Sequence, residues 1–229
     1  MERIAIFDLD GTLLDGRIWQ AFVNHHFTHK VHRHEAVKYL ARNLGHFTLY
    51  KARLVPRSAV WDRFGREIVT LVRGMDEARA QRVFDTIFAE SIEPRLDPAL
   101  LQRWQAFGNE GVRRFIVSGS PAPILRTIGD HLGATATFGT TPELRNGRYT
   151  GRIVGLLCQD EEKARRLKQY VDEQGWQVDW AASFSFADSH ADRPILELVG
   201  NPIVIRPDPK LLAHAQNQGW TVIGEPARQ

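Results

Sequence analysis

The stretch Ile4-Ala5-Ile6-Phe7-Asp8-Leu9-Asp10-Gly11-Thr12-Leu13-Leu14 carries two carboxylates, one residue apart, at the end of an apolar run. A short continuous apolar run that stops at a turn residue is typical of a strand buried in a parallel sheet. Ligands of such sheets lie beyond the carboxyl ends of the strands, where Asp8 and Asp10 fall on the same side. Because adjacent like charges repel, the pair predicts a cation or a shared proton beside it, whereas a single aspartate would indicate only a capped turn.

The composition is that of an ordinary globular protein, with 43% hydrophobic and 25% charged residues among 229. A formal net charge of +3 is too small to indicate a nucleic-acid partner, and no nucleic-acid motif is recognised. The single cysteine, Cys158, excludes an internal disulfide and a multi-cysteine zinc site. The opening apolar run is too short for a signal peptide, and no run approaches the about 18 apolar residues of a membrane span. We therefore expect a soluble, cytoplasmic protein.

A long segment after the opening strand differs from the rest of the chain. Between about Asp15 and Glu93, apolar residues recur at three-to-four spacing, for example in residues 18–23 and 83–88. This spacing predicts amphipathic helices, and strand signals are scarce. We expect residues 16–93 to form a helical insert.

The insert is also rich in histidine. It holds six of the nine histidines of the chain: His25, His26, His29, His32, His34 and His46. One interpretation is a metal site or a basic surface that faces an anion, and the other is a solvated face of a helical segment. We favour the solvated face, because no pair of these histidines has the flanking carboxylates of a zinc helix motif.

Strands and helices alternate in the rest of the chain. Residues 113–117 and 181–187 have the pattern of strands, and residues 122–132 and 160–174 have the pattern of helices. This alternation predicts a parallel sheet built from βαβ units with right-handed crossovers. Asn146-Gly147, in the region after the third core strand, predicts a β-hairpin.

Polar residues collect at the predicted carboxyl ends of the strands, or at a helix start close by. They are Asp8, Asp10, Ser118, Gly119, Lys163, Asp188 and Asp192. Three or four carboxylates at one edge require a cation, and oxygen ligands without a Cys/His set favour Mg²⁺ over zinc. A serine hydroxyl, free backbone N–H groups and an ammonium at the same edge indicate a site for phosphate or another oxyanion.

With these residues the sequence resembles the haloacid dehalogenase superfamily of phosphatases. The resemblance rests on Asp-Leu-Asp-Gly-Thr at residues 8–12, on Ser118, on Lys163, and on Asp-Ser-x-x-Asp at residues 188–192. Further segments are similar to its phosphoserine-phosphatase-like subfamily IB, namely residues 117–121, 146–151 and 199–208.

The resemblance implies an α/β fold with a Rossmann-like, doubly wound parallel sheet. Residues 1–15 and 94–229 would form this catalytic core, and residues 16–93 would form a helical cap inserted after the first strand. The helical insert that the periodicity predicts on its own occupies the same place in the chain.

The resemblance also implies a role for each carboxylate. Asp8 would be the nucleophile that forms an aspartyl-phosphate, and Asp10 would protonate the leaving oxygen and then activate water. Mg²⁺ would be held by the Asp8 carboxylate, the Asp10 backbone carbonyl and Asp188, with Asp192 in support.

For the remaining site residues, the resemblance implies phosphate binding by Ser118 and by the Gly119 N–H. Lys163 would neutralise charge on both Asp8 and the phosphate, so that catalysis would depend mainly on positioning and electrostatic stabilisation. One departure concerns Arg17, which stands where phosphoserine phosphatases carry a glutamate that meets the substrate ammonium. Arg17 is therefore a candidate for substrate specificity and favours an acidic or multiply charged phosphoester.

These residues predict a magnesium-dependent phosphatase that hydrolyses a small phosphomonoester through an aspartyl-phosphate. Two alternatives stay open at this point. The chain could be a phosphotransferase that passes the phosphoryl group from Asp8 to an alcohol, or a true phosphoserine phosphatase. The expected partner is a small-molecule phosphoester, and the sequence indicates no oligomeric state.

Overall fold

The computed structural model describes residues 1–55 and 57–225, with the backbone alone for residues 57–61. The last four residues of the predicted core, 226–229, lie outside the described part. The strands are β1 (Ile4–Phe7), β2 (Arg113–Pro121), β3 (Ala136–Thr140), β4 (Pro142–Arg145), β5 (Arg148–Ile153), β6 (Phe184–Ala187), β7 (Asn201–Ile205) and β8 (Thr221–Ile223). The helices are α1 (Ile18–Thr28), α2 (Arg33–Lys51), α3 (Arg57–Glu67), α4 (Glu77–Ile87), α5 (Pro98–Asn109), α6 (Ala122–Leu132), α7 (Glu161–Glu173), α8 (Arg193–Leu196) and α9 (Pro209–Gln218).

Six parallel strands form the main sheet, in the order β3-β2-β1-β6-β7-β8. The first strand of the chain therefore lies in the middle, where Ile6 is opposite Phe115 of β2 and Ser185 of β6. Strands β2 and β3 extend the sheet on one side of β1, and strands β6, β7 and β8 extend it on the other. This is the doubly wound, Rossmann-like α/β sheet that the sequence predicted.

Strand β1 is buried on both faces of the sheet, which explains its unbroken apolar sequence. On one face Phe7 stacks on Phe186, with ring centroids 4.3 Å apart, and meets the edge of Trp104 at 5.1 Å. On the other face Ile4 and Ile6 belong to a separate apolar cluster with residues of α7 and α8. Because successive side chains of a strand point to opposite faces of the sheet, β1 contributes to both layers of the core.

The segment between β1 and β2 is helical, as predicted. It holds helices α1 to α4, with a 3-10 helix at Ile68–Val72 between α3 and α4, and α4 continues into a π-helical turn at Phe88–Ile92. Asp76 caps the start of α4, where its side chain accepts a hydrogen bond from the Arg79 N–H. Among the described helices, none is long and apolar enough to cross a membrane, and the cytoplasmic location stays a prediction.

The predicted hairpin is confirmed and has an unforeseen partner. Strands β4 and β5 pair around Asn146 and Gly147, both with positive φ, as a type I′ turn requires. The hairpin also reaches the helical insert, because the Gly74 N–H donates to Tyr149 O at 2.7 Å and the Tyr149 N–H donates to Met75 O at 2.9 Å. The hairpin therefore joins the core sequence to the insert.

Two strand boundaries differ from the predicted ones. Strand β6 starts at Phe184 and not at residue 181, because Asp179 accepts a hydrogen bond from the Ala182 N–H and holds residues 179–183 in a turn. Strand β2 continues to Pro121 after a shift of register against β3 beyond Val117. Between Val117 and Pro121 the backbone of β2 therefore departs from regular pairing with β3.

Replacing Phe7 with alanine should destabilise the whole fold, because the ring fills the centre of the sheet. We expect Phe7→Ala to lower the free energy of unfolding by about 3–5 kcal/mol in urea denaturation. The matched control is Phe27→Ala in α1, where Phe27 is 39% exposed while Phe7 is fully buried, and its loss should be below about 1 kcal/mol. Equal losses in the two variants would contradict the central position of Phe7.

Candidate active site

Three buried carboxylates meet at the carboxyl edge of the central strands. Asp8 follows β1, Asp188 follows β6, and Asp192 ends the 3-10 turn after it. One oxygen of each lies within 4.8 Å of the others. The Asp8 N–H donates to Phe186 O at 2.9 Å, so the hydrogen bonding between β1 and β6 extends to Asp8. The predicted edge therefore does bring these residues together.

Lys163 neutralises part of this charge from the first turn of α7. Its ammonium is buried and donates to Asp8 Oδ1 at 2.6 Å and to Asp192 Oδ1. Burial alone would lower the pKa of Lys163, but Asp192 and Asp8 together raise that pKa above its usual value. The lysine therefore stays protonated, and it links the start of α7 to Asp8 after β1 and to Asp192 in the turn after β6.

The hydrogen-bond partners of Asp10 differ from those of Asp8. Its Oδ1 accepts a hydrogen bond from the Ile18 N–H at 2.5 Å, and its Oδ2 accepts one from Ser120 Oγ at 2.7 Å and one from Ser118 Oγ at 3.3 Å. Burial and the negative charge of Asp8 raise the pKa of Asp10. A carboxyl with a raised pKa beside an ionised one is suited to carry a proton.

The turn after β1 allows no larger residue at Gly11. Gly11 has φ of +90°, and a Cβ atom there would lie 2.2 Å from Asp188 Oδ2. Arg206, just after β7, donates to Gly11 O at 3.2 Å and to Thr12 O at 3.1 Å. The glycine thus lets the turn approach Asp188, and the arginine holds its carbonyls.

The residues after Val117 line the same edge from β2. Ser118 is buried, and its Oγ accepts a hydrogen bond from the Ser120 N–H at 3.1 Å. The Gly119 carbonyl accepts from Thr140 Oγ1 at 2.7 Å, and a Cβ at Gly119 would come within 3.2 Å of Gln159. The structure therefore places Ser118 beside Asp10, and Gly119 beside the segment that leads into α7.

Arg17, the predicted specificity residue, points into the carboxylate cluster. Its Nη1 donates to the Asp10 backbone carbonyl at 2.8 Å, and its Nη2 lies 3.4 Å from Asp188 Oδ2. Burial lowers the pKa of Arg17, but Asp188 and the other carboxylates raise it by more. The arginine thus contacts two groups that the sequence assigned to a metal.

The cluster has the donors and the charge that suit a metal ion. Among the described residues, none gives the buried Asp188 Oδ1 a hydrogen-bond partner. Asp8, Asp188 and Asp192 bring three carboxylates together against the cations of Lys163 and Arg17, and a metal ion would further reduce their mutual repulsion. Burial and the charge of Asp8 raise the pKa of Asp188 by more than the nearby Arg17 lowers it.

Sequence reasoning missed two residues that contact the site. Ser120 makes the shorter serine contact to Asp10, and the two-residue period from Ser118 could have indicated it. Arg206 supports the turn after β1 from 195 positions away in sequence, and no local signal points to it.

The chain is similar to known hydrolases and phosphatases. The haloacid dehalogenase-like hydrolase family matches residues 5–197 of the chain. The histidinol-phosphatase of Neisseria meningitidis is 28% identical over 97% of this chain and 99% of its own length. Phosphoserine phosphatase SerB1 of Mycobacterium tuberculosis is 25% identical over 95% of this chain and 69% of its own length.

A solved structure with a similar fold comes from Bordetella pertussis and is described as a protein with unknown function. It superposes with a TM-score of 0.81 at 25% identity and covers 98% of this chain and 99% of its own. The family match spans both the turn after β1 and the segment with Asp188 and Asp192. The resemblance seen in the sequence is confirmed, and the chain belongs to the haloacid dehalogenase-like hydrolase family.

Proposed function

We propose that the chain is a magnesium-dependent phosphatase that hydrolyses a small phosphomonoester through an aspartyl-phosphate on Asp8. The observation that carries this proposal is the unequal environment of the two aspartates. Asp8 lies against protonated Lys163 in a buried cluster, whereas Asp10 has a raised pKa and lies beside it. A nucleophile and a proton carrier are thus present side by side. The phosphatase names of two relatives support the same activity.

In the first step Asp8 attacks phosphorus. Lys163 holds Asp8 through Oδ1, so we assign the attack to Oδ2. A bond forms from Oδ2 to phosphorus while the bond from phosphorus to the ester oxygen breaks, and Asp10 gives its proton to the departing alkoxide. Lys163, the Ser118 hydroxyl and the Gly119 N–H stabilise the charge on the phosphoryl oxygens.

In the second step water replaces Asp8. Asp10 is now ionised and accepts a proton from the attacking water, and the bond from phosphorus to Asp8 Oδ2 breaks. The products are inorganic phosphate, the free Asp8 carboxylate and a protonated Asp10. Both steps therefore use the same acid/base residue in opposite directions.

The proposed metal ion is Mg²⁺, because the available donors are carboxylate and carbonyl oxygens. Asp8, Asp188 and the Asp10 backbone carbonyl would hold it, with Asp192 in support through Lys163. When bound, the ion supplies positive charge that lets a phosphate dianion approach the Asp8 carboxylate. Asp188 Oδ1, which is buried, is the oxygen best placed to accept it among the described groups.

We propose that residues 16–93 act as the cap over a core of residues 1–15 and 94–229, and that they select the substrate. In this cap, Tyr39 packs against Trp19 and Phe64, with ring centroids 6.4 and 5.8 Å away. Burial and the charges of Glu67 and Asp10 raise the pKa of Tyr39, so its hydroxyl stays protonated near the site. Histidinol phosphate is the substrate we propose first, because the relative named histidinol-phosphatase matches this chain over 97% of the chain and 99% of its own length.

The substrate prediction can be tested with a panel of phosphate esters, each assayed for release of inorganic phosphate with Mg²⁺ and with EDTA. We expect histidinol phosphate to give a higher kcat/KM than phosphoserine, and EDTA to abolish both reactions. Adding a primary alcohol tests transfer, because a phosphotransferase would form a new ester in place of part of the phosphate. Turnover that resists EDTA would contradict the metal dependence.

The nucleophile assignment predicts that Asp8→Asn abolishes turnover of an aryl phosphate, because an amide cannot form the acyl-phosphate. We expect a loss of more than roughly 10³-fold in kcat, as for removal of other covalent nucleophiles. Asp15→Asn, which makes the same change at an exposed aspartate of the next turn, should retain near-normal kcat. Activity of Asp8→Asn close to that of this control would rule out Asp8 as nucleophile.

The contacts of Arg17 predict that it opposes metal binding. Replacing Arg17 with methionine removes a cation from Asp188 and frees the Asp10 carbonyl, so Mg²⁺ should bind roughly tenfold more tightly, equivalent to about 1.4 kcal/mol. Isothermal titration calorimetry measures this Kd directly. Arg103→Met, which loses the same charge at an exposed position of α5, is the control. Unchanged or weaker Mg²⁺ binding by Arg17→Met would refute the competition.

A further inference from the structure

We propose that His25, His29 and Glu90 form a second metal site, which binds a divalent transition-metal ion such as Zn²⁺ in the helical insert. One ligand atom of each residue lies within 4.8 Å of the other two. The group is separate from the carboxylate cluster of Asp8, Asp188 and Asp192 and has a different set of donors.

The backbone places the three side chains together. His25 and His29 are four residues apart at the end of α1, on one face of the helix, and their ring centroids are 4.6 Å apart. Glu90 comes from the π-helical turn Phe88–Ile92, and its Oε2 lies 2.7 Å from His29 Nε2. Two elements far apart in sequence thus supply the donors.

His25 is a buried donor without a partner. Its exposed fraction is 5%, and among the described residues none forms a hydrogen bond with Nδ1. Burial, helped by the neighbouring His29, lowers the pKa of His25 and keeps its imidazole neutral, which is the form that binds metals. The prediction that these histidines lie on a solvated face is therefore wrong for His25 and His26, which are both buried.

The adjacent His26 shows what a structural histidine looks like in this insert. Its Nε2 lies 2.8 Å from the Leu71 carbonyl, so that nitrogen already has a protein partner. Burial lowers the pKa of His26 to about 4. Nδ1 of His26, like that of His25, has no partner among the described residues, but the group of ligand atoms with His29 and Glu90 includes His25 and not His26.

The donor set selects the type of ion. Two imidazole nitrogens and one carboxylate oxygen suit Zn²⁺, Co²⁺ or Ni²⁺, whereas Mg²⁺ prefers oxygen alone. The side chains of His29 and Glu90 are 36% and 51% exposed, so both can adjust to Zn–N and Zn–O distances of about 2.0–2.2 Å around the buried His25. Their exposure leaves a fourth position for water.

An ion at this site would connect the two ends of the helical insert. Helix α1 begins directly after Arg17, and the π-helical turn leads to Glu93, where the chain returns toward β2. Cross-linking these segments stabilises the native state only when the ion is bound. Thermal stability is therefore a readout that does not depend on catalysis.

The experiment uses the untagged full-length protein, stripped with EDTA and dialysed, and carrying Asp188→Asn to weaken the carboxylate cluster. Titration calorimetry with Zn²⁺ should show one site, and Co²⁺ should give the visible absorption bands of a site with nitrogen donors. A roughly 100-fold excess of Zn²⁺ over its Kd should raise Tm by about 5–10 °C.

Variants made in the same background distinguish this site from other histidines. His29→Gln and Glu90→Gln should weaken Zn²⁺ binding by more than roughly 100-fold, since loss of an outer-shell partner alone costs about 10–100-fold. His46→Gln, a change at a half-buried histidine near the end of α2, should leave the Kd unchanged. The proposal is overturned if both ligand variants bind Zn²⁺ like the control, or if Asp188→Asn alone removes all Zn²⁺ binding.

Discussion

The contact between Lys163 and Asp8 is the interaction on which the rest of the site depends. It places a buried ammonium between the end of the central strand and Asp192, where three carboxylates would otherwise repel one another. Removing one partner of such a buried pair costs about 3–5 kcal/mol, because the other charge stays buried without compensation. The same ammonium is available to a phosphate at this edge, so one cation serves both the stability of the folded state and the proposed chemistry.

The doubly wound sheet makes the asymmetry of the two aspartates possible. Asp8 continues β1 and stays between β2 and β6, whereas Asp10 lies in the turn just before Gly11 and meets the start of α1 and the serines near the end of β2. The backbone N–H of Ile18 thus connects the proposed acid/base directly to the first residue of α1, in the helical insert. Movement of that insert would change the environment of Asp10 without displacing Asp8.

The helical insert contacts both the hairpin of the core sequence and the carboxylate cluster. Its pairing with the hairpin through Gly74 and Tyr149 joins it to the core at a second place. Arg17, just before its first helix, contacts Asp188 and the Asp10 carbonyl, and Tyr39 packs against Trp19 and Phe64 within the insert. Substrate choice and metal affinity are therefore both proposed to depend on the insert, and the chemistry on the core.

The sequence by itself determined the central strand, the alternation of strands and helices, the helical insert and the polar residues that meet at the carboxyl edge of the sheet. These follow from apolar periodicity and from the types of polar residue at strand ends, which short stretches such as residues 4–14 already contain. Only the tertiary structure decided the partners of Asp10, the contact of Arg206 with the turn at Gly11, and the burial of His25. Each of these depends on side chains that are brought together from distant positions, 195 residues apart for Arg206 and Gly11, and no local pattern records such a pairing.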